Sequence, residues 1–540
     1  MHRNIKTTQQ LFILLAISVA VSSCTKLADK NYTQIVSDDF SPGPSDLVSL
    51  IGPAYGAWRS VLGYNGSSGF FRTQEATGDE VVIPARPTGW VDDGSYRRLH
   101  EHKWTNTDGT GQNWSTAYTG ITNCNRLIYQ IESGKLPVPT GKENVLAEIR
   151  ALRASFYYVL CDLYGNVPIV TKFDVDPGFL ADQNTRQEVY DFITSELTEV
   201  MPLLSDDAGQ LYYGRFNKWA ANAVLAKMYL NAEVYTGTPQ WAKCIEVCDA
   251  IINSNKYTLS PTQRSIFISE NAGNSEIIFA VPYDAIYATG FNLHMETLNP
   301  ENQKTYNLQS SAWGGIAAVP QYIDTYDPDD LRLQENWIQG QQYTSTGVPL
   351  EGSFGPFNGK PLVYINAIPG VDSTEEVHGY RLGKFEFKLG STTDLSNDVP
   401  LFRLTDIMMI KAECLLRTNR ANDAATIVTA IRQRSFINNI AKATVTGAQL
   451  QAGSVYDYGR RDYKATTREG GIDVTYGRFL DELGWEFNQE PHRRQDLIRF
   501  GIFTKKSWLS HQPNGDYRKL MPIPANILAT NPKLTQNPGY

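Results

Sequence analysis

Apolar residues recur at three- and four-residue spacing through most of the chain, a period that predicts amphipathic helices rather than strands. The clearest case is 143–164 (ENVLAEIRALRASFYYVLCDLY), where Val145, Ile149, Leu152, Phe156, Val159, Leu160 and Leu163 fall on one side. Gly165 stops this helix and Pro168 prevents its resumption. The same period predicts helices over 46–62, 113–133, 187–204, 218–235, 240–253, 405–417 and 422–434. Two antiparallel pairs, 218–253 and 405–434, carry Ala223, Ala226 and Ala232 in one and Ala412, Ala424 and Ala425 in the other at close-packing positions. That is tetratricopeptide-like spacing without the full repeat signature, a degenerate solenoid.

From 260 to 400 the pattern changes to Gly, Asn, Asp and Pro with short apolar runs such as EIIFAVPY (276–283) and PLVYINAI (361–368). The expected fold is mainly α: one domain over 46–540, with a tetratricopeptide-like helical-pair scaffold over about 46–255 and 400–540. A long loop-rich insertion with short β-strands, over about 260–400, interrupts this scaffold. No other stretch approaches the roughly 18–20 apolar residues of a membrane span. The N-terminus has a basic start (His2, Arg3, Lys6) and an apolar run over 11–21 that is too short to cross a bilayer. Val21, Ser22 and Ser23 then lead into Cys24, the arrangement a lipoprotein signal peptidase reads. Residues 1–23 are expected to be a signal peptide, Cys24 a lipidated N-terminus and 24–45 a tether. The competing reading is a soluble secreted protein with a Cys after its cleavage site.

Composition narrows the function. The 540 residues carry 49 Lys plus Arg against 57 Asp plus Glu, a formal charge of −8, which argues against a nucleic-acid partner. Beyond Cys24, the cysteines 124, 161, 244, 248 and 414 show no CxxC pair and no neighbouring His cluster, so no metal or other cofactor is expected and they read as small buried hydrophobes. There is no GxSxG, HExxH or phosphate-cradling Gly-rich loop.

Five features stand in a fixed order: the signal with Cys24, LRASFYYVLCDLYGNVPIV (152–170), AANAVLAKMYLNAEVYTG (220–237), DELGWEFNQEPHRRQDLIRFG (481–501) and LMPIPANILATNPKLTQNPGY (520–540). Together they resemble the SusD/RagB family across nearly the whole chain. The resemblance implies an outer-membrane, surface-facing lipoprotein that sits as a lid on a SusC-like TonB-dependent transporter and binds the nutrient, usually a glycan, for import. The segment ATGDEVVIPARPTGWVDDGSYRRLHEHKW (76–104) looks like the glycan-uptake version, which favours an oligosaccharide ligand over the peptides some members bind.

Sugars present apolar C–H faces and many hydroxyls, so a site needs exposed aromatic platforms and fixed polar groups. The loop 79–104 supplies Asp79, Arg86, Trp90 and Tyr96 among its Gly and Pro residues. Trp90 reads as a platform or as an anchor for the loop, Trp104 as packing, and Asp79 with Arg86 either as ligand contacts or as a pair holding the loop. A second cluster, 281–316, offers Tyr283, Tyr287, Asn307 and Trp313, the last followed by Gly314 and Gly315, which leave its face uncovered. Family members use aromatics from such a segment to arc around a glycan. The competing classes are a peptide-binding RagB-like relative, a helical-repeat scaffold and a glycoside hydrolase built on pairs such as Asp79 with Glu80 or Glu482 with Glu486. His492, Arg493, Arg494 and Asp496 read as a buried ion-pair network.

Overall fold

The computed structural model describes residues 44–64, 69–87 and 93–540; Cys24 and Trp90 lie outside the described residues. Helix α1 (Pro44–Leu62) packs on α2 (Gln112–Glu132), α2 on α3 (Lys142–Leu163) and α3 on α4 (Arg186–Val200). The pair α5 (Lys218–Leu230) and α6 (Trp241–Ile252) follows, and α6 continues onto α7 (Leu404–Arg417), which pairs with α8 (Ala421–Arg432). This is the expected helical-pair scaffold. Its alanines at 223, 226, 232, 412 and 424 are fully buried where helices meet, as are the five described cysteines, all unpaired.

Local chemistry sets the ends of these helices. Gly165 takes φ 72° just past α3 and its N–H returns to the Leu160 carbonyl at 3.2 Å, a left-handed termination that favours glycine. Thr185 and Glu188 form a reciprocal capping box at the start of α4. Asn217 Oδ1 accepts from the N–H groups of Trp219 and Ala220 at the start of α5. The helix expected over 218–235 is interrupted at Asn231, whose side-chain amide donates to the Lys227 carbonyl at 2.9 Å, and a short helix, Ala232–Thr236, follows.

The insertion starts and ends on two strands that pair with each other. β2 (Ile277–Val281) runs antiparallel to β8 (Val399–Arg403), with Ile277 opposite Arg403 and Val281 opposite Val399. Between them lie short antiparallel pairs: β4 (Trp337–Ile338) with β7 (Arg381–Leu382) and β5 (Gly340–Gln341) with β6 (Val363–Tyr364), around a small core of Leu350, Leu362, Tyr364 and Val377. One further pairing reaches out of the insertion, from β3 (Ala317–Ala318) to β1 (Val81–Val82).

Helices α9 (Gly477–Phe487) and α10 (Arg493–Arg499) supply buried charge that joins insertion to scaffold. Arg403 donates to Glu276 and Glu486 at 2.9 Å and to Glu490 at 2.8 Å, while Arg434 donates to Glu276 at 2.6 Å and Glu486 at 2.7 Å. Burial works to raise the Glu486 carboxyl, and the Arg434, Arg403 and Arg332 guanidiniums overcome it, leaving Glu486 well below the usual carboxylate range. The expected network at 492–496 is present too: Arg494 pairs with Asp162 at 2.8 Å, Asp496 with Arg499 at 2.6 Å, and His492 Nδ1 lies 3.1 Å from Lys227 Nζ.

Candidate functional site

The β1–β3 pairing sets Val81 opposite Ala318 and Val82 opposite Ala317, fastening the first aromatic loop to the chain that follows Trp313. Within that loop three of the candidates belong to the interior. Asp79 is buried; Arg493 donates to it from Nε at 2.6 Å and from Nη2 at 3.0 Å, and the Tyr458 hydroxyl donates at 2.9 Å. Arg86 is buried as well and bonds three carbonyls: Gly315 at 3.1 Å from Nε, Glu375 at 2.6 Å and His378 at 2.9 Å. Asp79 and Arg86 therefore neither bond each other nor face a ligand. Tyr96 is buried too, with the Arg72 guanidinium 5.8 Å from its ring centre. Trp104 packs inside, its Nε1 donating to the Tyr540 hydroxyl at 2.7 Å, as expected. Trp90 lies in 88–92, outside the described residues.

The second cluster divides differently. Tyr283 is buried, edge-on to Tyr64 and 5.4 Å from Phe291, with its hydroxyl donating to the Arg59 carbonyl; it closes the core and is not a platform. Four residues on, Tyr287 is 89% exposed on a turn in which Asp284 Oδ1 accepts from the N–H groups of Ile286 and Tyr287. Asn307 is exposed at φ 51°, accepting from the Ser345 hydroxyl at 3.0 Å. Trp313 is 40% exposed. Its backbone is held firmly: the Trp313 N–H donates to Met295 O at 2.6 Å, and those of Gly315 and Ile316 to Glu296 O at 2.7 and 2.9 Å. Gly314 between them has φ 72°, and a Cβ there would come within 3.3 Å of Asn299 Oδ1.

Two aromatics outside the expected set border this region. Tyr343 is 47% exposed and Phe354 is 36% exposed. The Phe354 loop is tied to the Trp313 segment through Glu376: Ser353 N–H donates to its carboxylate at 3.4 Å and Asn299 Nδ2 to its carbonyl at 3.0 Å. Ser353 Oγ also donates to Glu301, whose carboxyl is pushed up first by burial and then by the neighbouring Glu376 charge. The readable signal was two aromatics set among Gly340, Gly347, Pro349, Gly352, Gly355 and Pro356. Residues 389–398 connect the ends of the rim, since Gln309 N–H donates to Ser391 O, Gly290 N–H to Asp394 and Ala285 N–H to Ser396 Oγ.

This rim offers exposed rings on hydrogen-bonded backbone with amide and hydroxyl groups among them, a surface for binding rather than bond cleavage. The carboxylate pairs weighed for hydrolysis are interior and ion-paired: Glu482 with Arg432 at 2.6 Å and Arg478 at 2.8 Å, Glu486 with Arg403 and Arg434, and Asp79 and Glu80 with Arg493. Among the described residues no group of His, Cys, Asp and Glu is arranged to hold a metal.

Residues 67–230 match the family described as "Starch-binding associating with outer membrane", and residues 275–540 match the SusD family. The chain belongs to the SusD/RagB family. Among SusD relatives, the starch-binding protein SusD of Bacteroides thetaiotaomicron is 25% identical over 522 residues, covering 88% of this chain and 86% of that one. SusD-like protein P25 of Formosa agariphila is 22% identical over 567 residues, covering 98% and 99%. The fold is shared with surface glycan-binding protein A from Bacteroides thetaiotaomicron, solved in complex with laminarihexaose, at TM-score 0.70 and 17% identity over 91% of this chain and 99% of that one. Arg86 lies in the first of the two matched segments, and Gly315, whose carbonyl it bonds, in the second.

Proposed function

We propose that this protein is a non-catalytic glycan-binding protein of the cell surface that captures oligosaccharides at the rim of Tyr287, Asn307, Trp313, Tyr343 and Phe354. The observation that carries this is Trp313: a large apolar ring left partly open to solvent on a backbone pinned to Met295 and Glu296. A side chain with few torsions on a fixed backbone loses little freedom when a sugar ring stacks on it. Similarity to the starch-binding protein SusD and to a surface glycan-binding protein solved with laminarihexaose supports the same ligand class. Isothermal titration of the purified protein with a panel of soluble polysaccharides, and separately with a peptide digest, tests it. Saturable binding of one glycan class is expected; binding of peptides alone would move the protein to the RagB-like alternative.

The finer reading is a lipoprotein, acylated on Cys24, that delivers its glycan to a SusC-like TonB-dependent transporter. It rests on the Val21 to Cys24 sequence and on family membership. Two proteins confined to one membrane meet at high effective concentration, so a modest interface suffices. Radiolabelled palmitate should enter the wild-type protein and not Cys24→Ala, and a TonB-dependent barrel should co-purify from detergent extracts at native expression.

A further inference from the structure

Helices α4, α5 and α6 and the turn at 236–240 line an open groove of about 830 Å3, within the range of sites for small ligands. None of its lining residues belongs to the aromatic rim. Its lining includes Tyr190, which is only 6% exposed and whose hydroxyl, itself buried, has no hydrogen-bond partner among the described residues. A buried hydroxyl left unpaired costs free energy that a ligand's hydroxyl would recover. Tyr229, half-buried, lines the groove with Lys243, whose ammonium is 5.9 Å from the Tyr229 ring centre.

We infer that this groove is a second binding site, for a small neutral saccharide, independent of the Trp313 rim. The charges bordering it are largely answered within the protein: Glu199 is paired with Arg150 at 2.9 Å, and Asp191 accepts from Gln187 at 2.9 Å. One lysine beside two carboxylates does not favour an anionic ligand. The Thr194 hydroxyl on α4 points its proton backward, donating to Tyr190 O at 3.0 Å, so its oxygen remains as an acceptor, while Thr198 is engaged with the Tyr229 hydroxyl. Donors and acceptors together with an aromatic side chain are what a polyhydroxylated ring requires. A peptide fits less well, because the walls are helical and their backbone groups, already bonded, offer no strand edge.

The test is 19F NMR of the full chain labelled with 3-fluorotyrosine, the Tyr190 and Tyr229 signals being assigned by Tyr190→Phe and Tyr229→Phe. D-glucose, D-galactose, D-mannose and D-xylose are each titrated to about 100 mM, the weak end of specific binding, in wild type and in Trp313→Ala. The expected result is saturable movement of both signals with at least one sugar, equal in the two backgrounds. Tyr229→Ala should weaken that binding at least tenfold, and Tyr190→Phe, which keeps the ring and loses the hydroxyl, severalfold, with thermal melting reported alongside. Signals that stay still with all four sugars overturn the site, and movement only with a peptide digest overturns the saccharide assignment. Binding of polysaccharide at the rim, read by its loss in Trp313→Ala, is scored separately, so either site can fail alone.

Discussion

Arg86 Nε donates to the carbonyl of Gly315 at 3.1 Å, so a buried cation from the first aromatic loop holds the backbone two residues beyond the exposed indole of Trp313. The other two nitrogens of the same guanidinium bind Glu375 and His378 O, next to the residue that anchors the Phe354 loop. A ligand-contact role expected for Arg86 is thus replaced by a positioning role. Arg86→Ala leaves three carbonyls without their donor and should cost at least about 3 kcal/mol of stability. Glycan affinity of the folded fraction should fall severalfold, with partial rescue in Arg86→Lys. Chemical denaturation and titration of the same samples check both.

Trp313→Ala should weaken binding of the best glycan at least tenfold, since truncating a binding hot spot costs about 2 kcal/mol. Its stability cost should be well below the roughly 3–5 kcal/mol of a fully buried Trp. Trp104→Ala is the control, with the opposite pattern: a large loss of stability and no direct loss of affinity. Tyr287→Ala, at a side chain almost wholly in solvent, should leave the melting temperature unchanged. Equal glycan affinity in Trp313→Ala would remove Trp313 from the site.

Asp79→Asn removes the negative partner of a buried Arg493 and should cost about 3 kcal/mol, the low end for a broken buried pair because Glu80 stays 3.0 Å from the same nitrogen. Glycan affinity of the folded protein should not change. A glycan defect without a stability defect would return Asp79 to the site.

His100 and His102 are both lowered to about 3, first by burial. Positive neighbours, including Arg518 and Arg494, lower His102 further, while its bond to Thr77 O and, for His100, the Asp462 charge work the other way. Unfolding frees each ring to protonate near pH 6.5. Below that value the unfolded state binds more protons, so the stability they contribute is complete above about pH 6.5 and is lost as pH falls toward 3. Each should add a slope of up to about 1.4 kcal/mol per pH unit in that window. Denaturation midpoints from pH 7 to pH 4 should fall less steeply in His100→Gln.

The scaffold was legible because its stripes are long and simple: α3, α6 and α7 lie within a residue or two of the periods read from 143–164, 240–253 and 405–417. α9 was not read as a helix, because Glu482 and Glu486 interrupt its apolar stripe as a solvated surface would, although both are buried against arginines far away in the chain. The same effect misdirected the site assignments. Asp79, Arg86, Tyr96 and Tyr283 look like sugar contacts by residue type, and only long-range pairing, Asp79 to Arg493 or Arg86 to Gly315, shows that they are interior. The exposure of Tyr287 was legible because it is set by its own turn, in which Asp284 accepts from the Tyr287 N–H.

The ion pairs of Arg403 and Arg434 with Glu276 join residues from the two sides of the exposed hairpin at 344–348. A protease that cuts at Gly347 therefore yields two polypeptides but still one particle, clamped by β2 on β8 and by the buried Glu276 carboxylate, whose arginine partners lie on the other piece. Such a nicked sample should elute from a sizing column with the intact protein and separate into fragments only in denaturant.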